Sequence, residues 1–487
     1  MNPLKKLFKQ TAIYGLATVL PRVLNVLLLP LYTGVLQTAG YGRVTVIFSW
    51  IAIFNVFLAY GMETAFFRFY NKADDKEKVV STSLISILGS TLLFAVLALI
   101  FQNSMASASN IEVQFIRYAI AIIVLDAFVI IPFAWLRANE RPMKYAIIKI
   151  VNVVINLGLN LFFLILLPKM AQENADGFLS SLYVPDFEIS YIFISNLIAS
   201  GVTLLLMLPL YLKCKYDFDI SLWKQMFKYA WPVLVAGIAF TINEVFDKIL
   251  LERLLPEDVA DSETGMYAAC YKLGMFMTLF ATAFRMGIEP FFFSHAESEN
   301  PQKAYAQITN YFVVLGSIIL LGVVVYADLF KVLFIQNSEY WEAMDIVPLI
   351  LLAGFFLGIY HNLSVWYKVT DKTRYGAFIS VIGAFITIGI NFTLIPVLGY
   401  LASAIATVLA YGSMMVLSYY FGKSHYPIPY NFRKILFYLG VSILFSTLSF
   451  YVFNRNMIIG TVLLLLFLGL VYKMENEMLR KIFLRKG

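Results

Sequence analysis

Six Lys and Arg residues lie inside long apolar stretches rather than in the loops between them: Arg22, Arg117, Lys149, Lys248, Lys272 and Arg285. A charge placed among apolar transmembrane residues costs at least about 2.5–3.5 kcal/mol on insertion scales, so each one needs a reason. Arg22 is the most informative. It lies about eleven residues into its stretch, near the midplane, at roughly 16 Å depth by helical rise. Thr11, Tyr14, Thr18, Arg22 and Asn25 are spaced three or four apart and share one helix face. Two readings stand for Arg22: a cavity-facing cation that meets an anionic head group, or half of a buried ion pair with another helix.

Other charges repeat the same choice. Asp126 is also near a midplane, either as the partner of Arg22 or as a protonatable coupling site. Arg117 precedes it by nine residues, so the two fall on opposite faces of one helix and cannot both line a cavity. Lys149, Asn152, Asn156 and Asn160 form one polar face, suited either to lining a sugar-wetted cavity or to gluing helices together. Asn243, Glu244, Asp247 and Lys248 cluster in another stretch, where Glu244 and Lys248 are an i,i+4 pair. Arg285 and Glu289 share a face in the next, which also holds Lys272.

The elements that position these residues follow from composition. Of 487 residues, 60% are hydrophobic and 14% charged, and the mean hydropathy is +0.78. A soluble chain of this length is about 25% charged, which excludes a soluble enzyme, a disordered chain and a nucleic-acid module. We expect an all-α polytopic membrane protein with fourteen spans. They fall near 11–35, 44–62, 80–101, 113–135, 146–168, 189–212, 229–251, 265–291, 305–327, 346–367, 376–396, 401–421, 435–453 and 457–472. With the N-terminus inside, the inner segments hold 26 Lys and Arg and the outer loops 5, which places both termini in the cytoplasm and accounts for most of the net charge of +7. The N-terminal stretch has no small-residue cleavage site after it and reads as a retained first span. Cys214 and Cys270 lack metal-ligand spacing, and His295, His361 and His425 are far apart, so neither a disulfide nor a metal is expected. The loops leave no room for a soluble catalytic domain, and Gly422-Lys423-Ser424 lacks the upstream Gly of a phosphate-binding loop.

The chain also repeats itself. Residues 41–67 align without gaps onto 267–293, sharing Gly-x-Glu-x-x-Phe-Phe at Gly61, Glu63, Phe66, Phe67 and at Gly287, Glu289, Phe292, Phe293. Trp135-Leu-Arg137 after span 4 resembles Trp366-Tyr-Lys368 after span 10. Partners are six spans apart, so the repeat is parallel, with its axis along the membrane normal. Residues 1–222 form one six-helix lobe, 223–424 the second, and 425–487 add two spans and a tail. Glu63 and Glu289 at the inner ends read either as part of a cytoplasmic gate, with Arg68 and Arg285 as candidate partners, or as solvated helix ends. Pro21 and Pro30 permit bends in span 1.

Fourteen spans, two six-helix lobes and the run Gly61-Met-Glu63-Thr-Ala-Phe-Phe-Arg68-Phe resemble the polysaccharide flippases of the multidrug/oligosaccharidyl-lipid/polysaccharide exporter superfamily. That resemblance covers nearly the whole chain and implies a MATE-like fold in a bacterial inner membrane. It implies transport without enzyme chemistry: undecaprenyl-pyrophosphate-linked oligosaccharide would pass from the cytoplasmic to the periplasmic leaflet for surface polysaccharide such as O-antigen. Arg22, Asn25, Arg117, Lys149, Lys272 and Arg285 would meet the pyrophosphate. No cofactor is expected, and proton or sodium coupling would run through Asp126, Glu244 or Asp247. Membrane lipids and a polysaccharide polymerase are the expected partners, and nucleic acid is not. Lipid II is an alternative cargo. A multidrug antiporter fits less well, because such exporters favour cations. A polysaccharide polymerase or ligase would need larger outward loops.

Overall fold

The computed structural model describes residues 15, 19–21, 23–24, 26–173, 177–178, 180–294 and 299–476, and among these every regular element is helical. Eleven helices are long and apolar enough to cross a membrane. They coincide with expected spans 2–6 and 9–14. The first group is Thr38–Lys72, Lys76–Ile100, Val113–Ala138, Pro142–Glu173 and Glu188–Lys213; the second is Pro301–Val325, Ser338–Val369, Arg374–Leu398, Tyr400–His425, Phe432–Val452 and Met457–Met474. Expected spans 7 and 8 lie within Ile220–Leu254 and Glu257–Ser294, of 35 and 38 residues. At about 1.5 Å per residue both exceed a bilayer crossing and run on beyond it. Span 1 is described in part, at residues 15, 19–21, 23–24 and 26–35, and its last turns form Leu29–Val35 with Pro30 in the first turn. The total of fourteen rests on these three.

Loop chemistry sets where the helices start. Asp75 accepts from the Lys78 amide, Asp219 from Ser221 and Leu222, Asn431 from Lys434, and Asn456 from Ile458 and Ile459. Each satisfies amide donors that the first turn cannot. Exposed side chains such as Leu93 at 62%, Ile100 at 66% and Ile458 at 77% would form adverse patches in water and suit lipid contact.

Two compact units divide the chain: residues up to Ala268 with Asn391–Gly399, and Ala269–Ile390 with the rest. In the first unit, Ile220–Leu254 packs on Thr38–Ala59 and Met62–Lys72, while Glu188–Lys213 packs on Pro142–Leu161 and Val113–Phe128. Thus the seventh span packs within the first unit, although the sequence repeat pairs it with span 1. In the second unit, Val347–Leu363 packs on Tyr400–His425, and Pro301–Val325 on Phe432–Thr447.

One break in the helical path sets the geometry of the repeated motif. Thr38–Ala59 ends at Tyr60 and Gly61, both left-handed (φ 31° and 72°), and Met62–Lys72 restarts at once. A Cβ on Gly61 would stand 2.4 Å from the Ala230 carbonyl oxygen. Only Gly combines that φ with so close a backbone approach. Its repeat counterpart, Gly287, lies inside an unbroken helix with open space where a Cβ would go.

Candidate functional site

The two repeated motifs each close on a cation. Glu63, in the first turn of Met62–Lys72, is ion-paired with Arg137 at the end of Ile130–Ala138. Glu289 is ion-paired with Lys368 at 2.5 Å. The expected partners, Arg68 and Arg285, do not fill this role. Arg68 lies 4.4 Å over the Tyr229 ring, and Arg285 Nη1 is 3.5 Å from His361 Nε2. The reason is helical geometry. Arg68 is five residues from Glu63 and points around the helix toward Tyr229, whereas Arg137 arrives from a neighbouring helix. Arg137 also caps the Phe67 ring at 4.8 Å, so the motif's second Phe seats the guanidinium that its Glu binds. Arg137 and Lys368 are themselves a repeat pair. The Gly-x-Glu-x-x-Phe-Phe and Trp-x-cation signals therefore meet in space in both halves, a pairing that the internal alignment carried but spacing alone could not assign.

Span 5 behaves as a polar seam. Asn152 donates to Thr203 Oγ1 at 3.0 Å, fastening Pro142–Leu161 to Glu188–Lys213. Asn160, fully buried, donates to Asn156 Oδ1 at 2.7 Å and accepts from the Tyr32 hydroxyl at 3.0 Å. Asn152 and Asn160 thus tie span 5 to neighbouring helices, while Asn156 bonds within its own helix. Lys149, on the same face, packs its ammonium 4.2 Å over Phe133. It has no carboxylate within ion-pair distance among the described residues. Asp126 accepts from Ser200 Oγ at 2.8 Å and Asn55 Nδ2 at 3.2 Å, two neutral donors from helices on either side.

Asp247 sits in the densest charge cluster. Its side chain is buried, receives Lys248 Nζ at 2.8 and 2.9 Å, and accepts from the Tyr267 hydroxyl at 2.6 Å. Lys248 reaches the backbone oxygen of Glu244 at 3.0 Å rather than its carboxylate, so the expected Glu244–Lys248 ion pair does not form. The adjacent Asp247 wins because its shorter side chain holds both oxygens against the ammonium. The Glu244 carboxylate is half-buried and makes no ion pair among the described residues.

Arg117 is exposed and donates to Gln102 Oε1 at 2.8 Å. Lys272 is half-buried on Glu257–Ser294. Arg22 and Asn25, with Thr11, Tyr14 and Thr18 of their stripe, lie outside the described residues. Three of these cations thus touch no carboxylate: Arg117, exposed, contacts a Gln, Arg285 a His, and Lys149 an aromatic ring, with Asp126 as a more distant counter-charge. Only Lys248 is matched with a carboxylate in that group of four. Among the described residues no cluster of His, Cys, Asp and Glu has the make-up of a metal site.

A protein-family model described as "Polysaccharide biosynthesis protein" matches residues 7–294. No curated protein sequence matches significantly. Solved structures share the fold at low identity. The lipid II flippase MurJ in an inward closed conformation superposes with a TM-score of 0.71 at 15% identity, covering 95% of this chain and 99% of that one. An inward-facing multidrug resistance MATE transporter of the MOP superfamily gives 0.62 at 12%, covering 85% and 94%. A MOP superfamily transporter from Pyrococcus furiosus, whose binding pocket has reversed polarity, gives 0.60 at 14%, covering 87% and 96%.

Proposed function

The chain belongs to the polysaccharide biosynthesis protein family of membrane flippases, and from that premise we propose that it carries an undecaprenyl-pyrophosphate-linked oligosaccharide from the cytoplasmic to the periplasmic leaflet of a bacterial inner membrane by alternating access. The observation that carries the reading is two intramembrane cations that touch no carboxylate: Arg285, beside the His361 ring, and Lys149, over the Phe133 ring with Asp126 as its more distant counter-charge. A cation held in low dielectric without a contacting counter-ion is costly, and an arriving anion recovers part of that cost. A pyrophosphate brings two or more negative charges, the sugar needs only polar surroundings, and the prenyl chain can stay in lipid. Nothing in this cycle requires a bond to break. Arg22 and Lys272, with the neutral amide of Asn25, complete the proposed substrate-binding set.

Coupling to a proton or sodium gradient needs a carboxylate with two accessible states. Asp247 is held as an ion by Lys248 and Tyr267, whereas Asp126, buried with the neutral donors Ser200 and Asn55 and with Lys149 as its more distant cation, and Glu244, which makes no ion pair among the described residues, are the carboxylates left to exchange an ion. Glu63–Arg137 and Glu289–Lys368 are the proposed gate pairs, opening and closing in turn. Arg68, held on Tyr229, supports the gate helix.

Lipid II is the second cargo reading. It is favoured by the fold shared with MurJ and presents the same pyrophosphate. A cationic drug would be repelled by the same side chains. Arg22→Ala is expected to abolish surface polysaccharide export while the protein still inserts, with Arg22→Lys restoring part of it. Normal export by Arg22→Ala cells would remove Arg22 from the site. Rescue of cell-wall synthesis in cells depleted of their lipid II flippase would favour the second cargo.

A further inference from the structure

A cavity of about 360 Å³ opens at the basic ends of spans 2 to 6, the ends that the charge bias places inside. Its rim is cationic: Lys76, Arg141, Lys144, Lys213 and Lys215, against a single carboxylate, Glu77. None of the five cations is ion-paired among the described residues. Its wall is apolar, with Pro132, Leu136, Leu206, Met207 and Leu210. Two aromatic residues stiffen the rim. Arg141 lies 4.8 Å over Trp135, and Lys76 5.3 Å over Tyr70, whose hydroxyl donates to Asn139 at 3.1 Å.

Its surroundings say where an occupant would come from. The wall helix Glu188–Lys213 exposes Leu205, Leu206, Leu208 and Leu212, at 66, 40, 39 and 77%. Pro142–Leu161 exposes Met143, Ile147, Ile150 and Val154 beside it. Both faces need lipid against them. A cation rim above such faces matches the two ends of an anionic lipid: phosphate at the rim, acyl chains along the wall.

We infer that this cavity is a binding site for an anionic phospholipid of the inner leaflet, with Lys144, Lys213 and Lys215 holding the phosphate and Leu206, Met207 and Leu210 the upper acyl chain. The site lies within the first unit and is independent of the proposed cargo. A soluble phosphate compound would meet the same cations but would leave the apolar wall empty.

Cys214 lines the cavity, and the other cysteine, Cys270, is fully buried, so Cys214 reports on occupancy. The full-length protein is reconstituted in vesicles of phosphatidylcholine alone or with cardiolipin, and Cys214 is labelled with an uncharged maleimide. Cardiolipin is expected to slow labelling about tenfold in the wild type, and much less in Lys144→Gln/Lys213→Gln/Lys215→Gln, which controls for surface potential. In phosphatidylcholine vesicles, inorganic phosphate and glycerol phosphate are expected to leave the rate unchanged. Equal slowing of wild type and variant, or no slowing, overturns the inference. Protection by glycerol phosphate equal to that by cardiolipin overturns the lipid assignment in favour of a soluble phosphate ligand. Should the triple variant fail to fold, Leu206→Trp, which fills the acyl wall and leaves the cations, is expected to weaken cardiolipin protection; unchanged protection again counts against the site.

Discussion

Asp247 and Glu244 lie three residues apart and have opposite fates. Asp247 carries the counter-charge of a buried Lys248 and the hydrogen bond of Tyr267, whereas Glu244 carries no such duty. Asp247→Asn leaves a buried ammonium with no carboxylate, a change that typically costs about 3–5 kcal/mol. Thermal unfolding in detergent should show a large loss of stability for Asp247→Asn and almost none for Glu244→Gln, which should instead impair gradient-driven transport. A stable Asp247→Asn protein would mean that Lys248 is neutralised elsewhere. Composition identified both residues as worth explaining. It could not separate them, because an i,i+4 spacing says which side chains can meet on one helix and not which competitor is nearer. Asp126 teaches the same lesson: its partners, Asn55 and Ser200, come from helices 71 and 74 residues away in sequence.

At the scale of elements, the repeated motif is broken in one half and straight in the other. Gly61→Ala places a Cβ in a left-handed residue and against the Ala230 carbonyl, so folded protein should fall sharply. Gly287→Ala meets open space within a helix and should be neutral or stabilising by up to about 1 kcal/mol. Detergent-solubilised yield and melting temperature check the contrast, and equal behaviour would contradict the difference between the halves. The gate pair calls for a different readout. Glu63 and Arg137 are 41 and 33% exposed, and such pairs contribute about 1 kcal/mol or less to stability. Glu63→Arg should therefore insert normally yet lose export, and adding Arg137→Glu should restore it. Failure of the swap with intact insertion would reduce the pair to a helix-end contact. Most of the spans were legible from run length because hydrocarbon thickness dictates helix length. Spans 7 and 8 were legible only in their apolar middles, since Ile220–Leu254 and Glu257–Ser294 include charged ends, with Lys224 and Lys228 in one and Glu257, Asp258 and Asp261 in the other, that no apolar run marks.

For the whole molecule, the Lys and Arg residues divide into a majority in the loops, the basis of the expected orientation, and six within the expected spans, the basis of the proposed cargo. The family match and the shared fold establish a flippase architecture; the cations supply the argument for a pyrophosphate cargo. Internal symmetry was legible because two distinct motifs recur in the same order, and the structure adds that they bind one another in each half. The central claim is that intramembrane cations with no contacting carboxylate receive the pyrophosphate. Its most direct test is the affinity of the purified protein for a synthetic undecaprenyl-pyrophosphate-linked oligosaccharide, compared with the Lys149→Gln/Arg285→Gln variant at matched melting temperature. The predicted result is at least about tenfold weaker binding by the variant, or about 1.4 kcal/mol, with undecaprenol binding weakly to both. Equal affinity of the two proteins for the pyrophosphate lipid would contradict it.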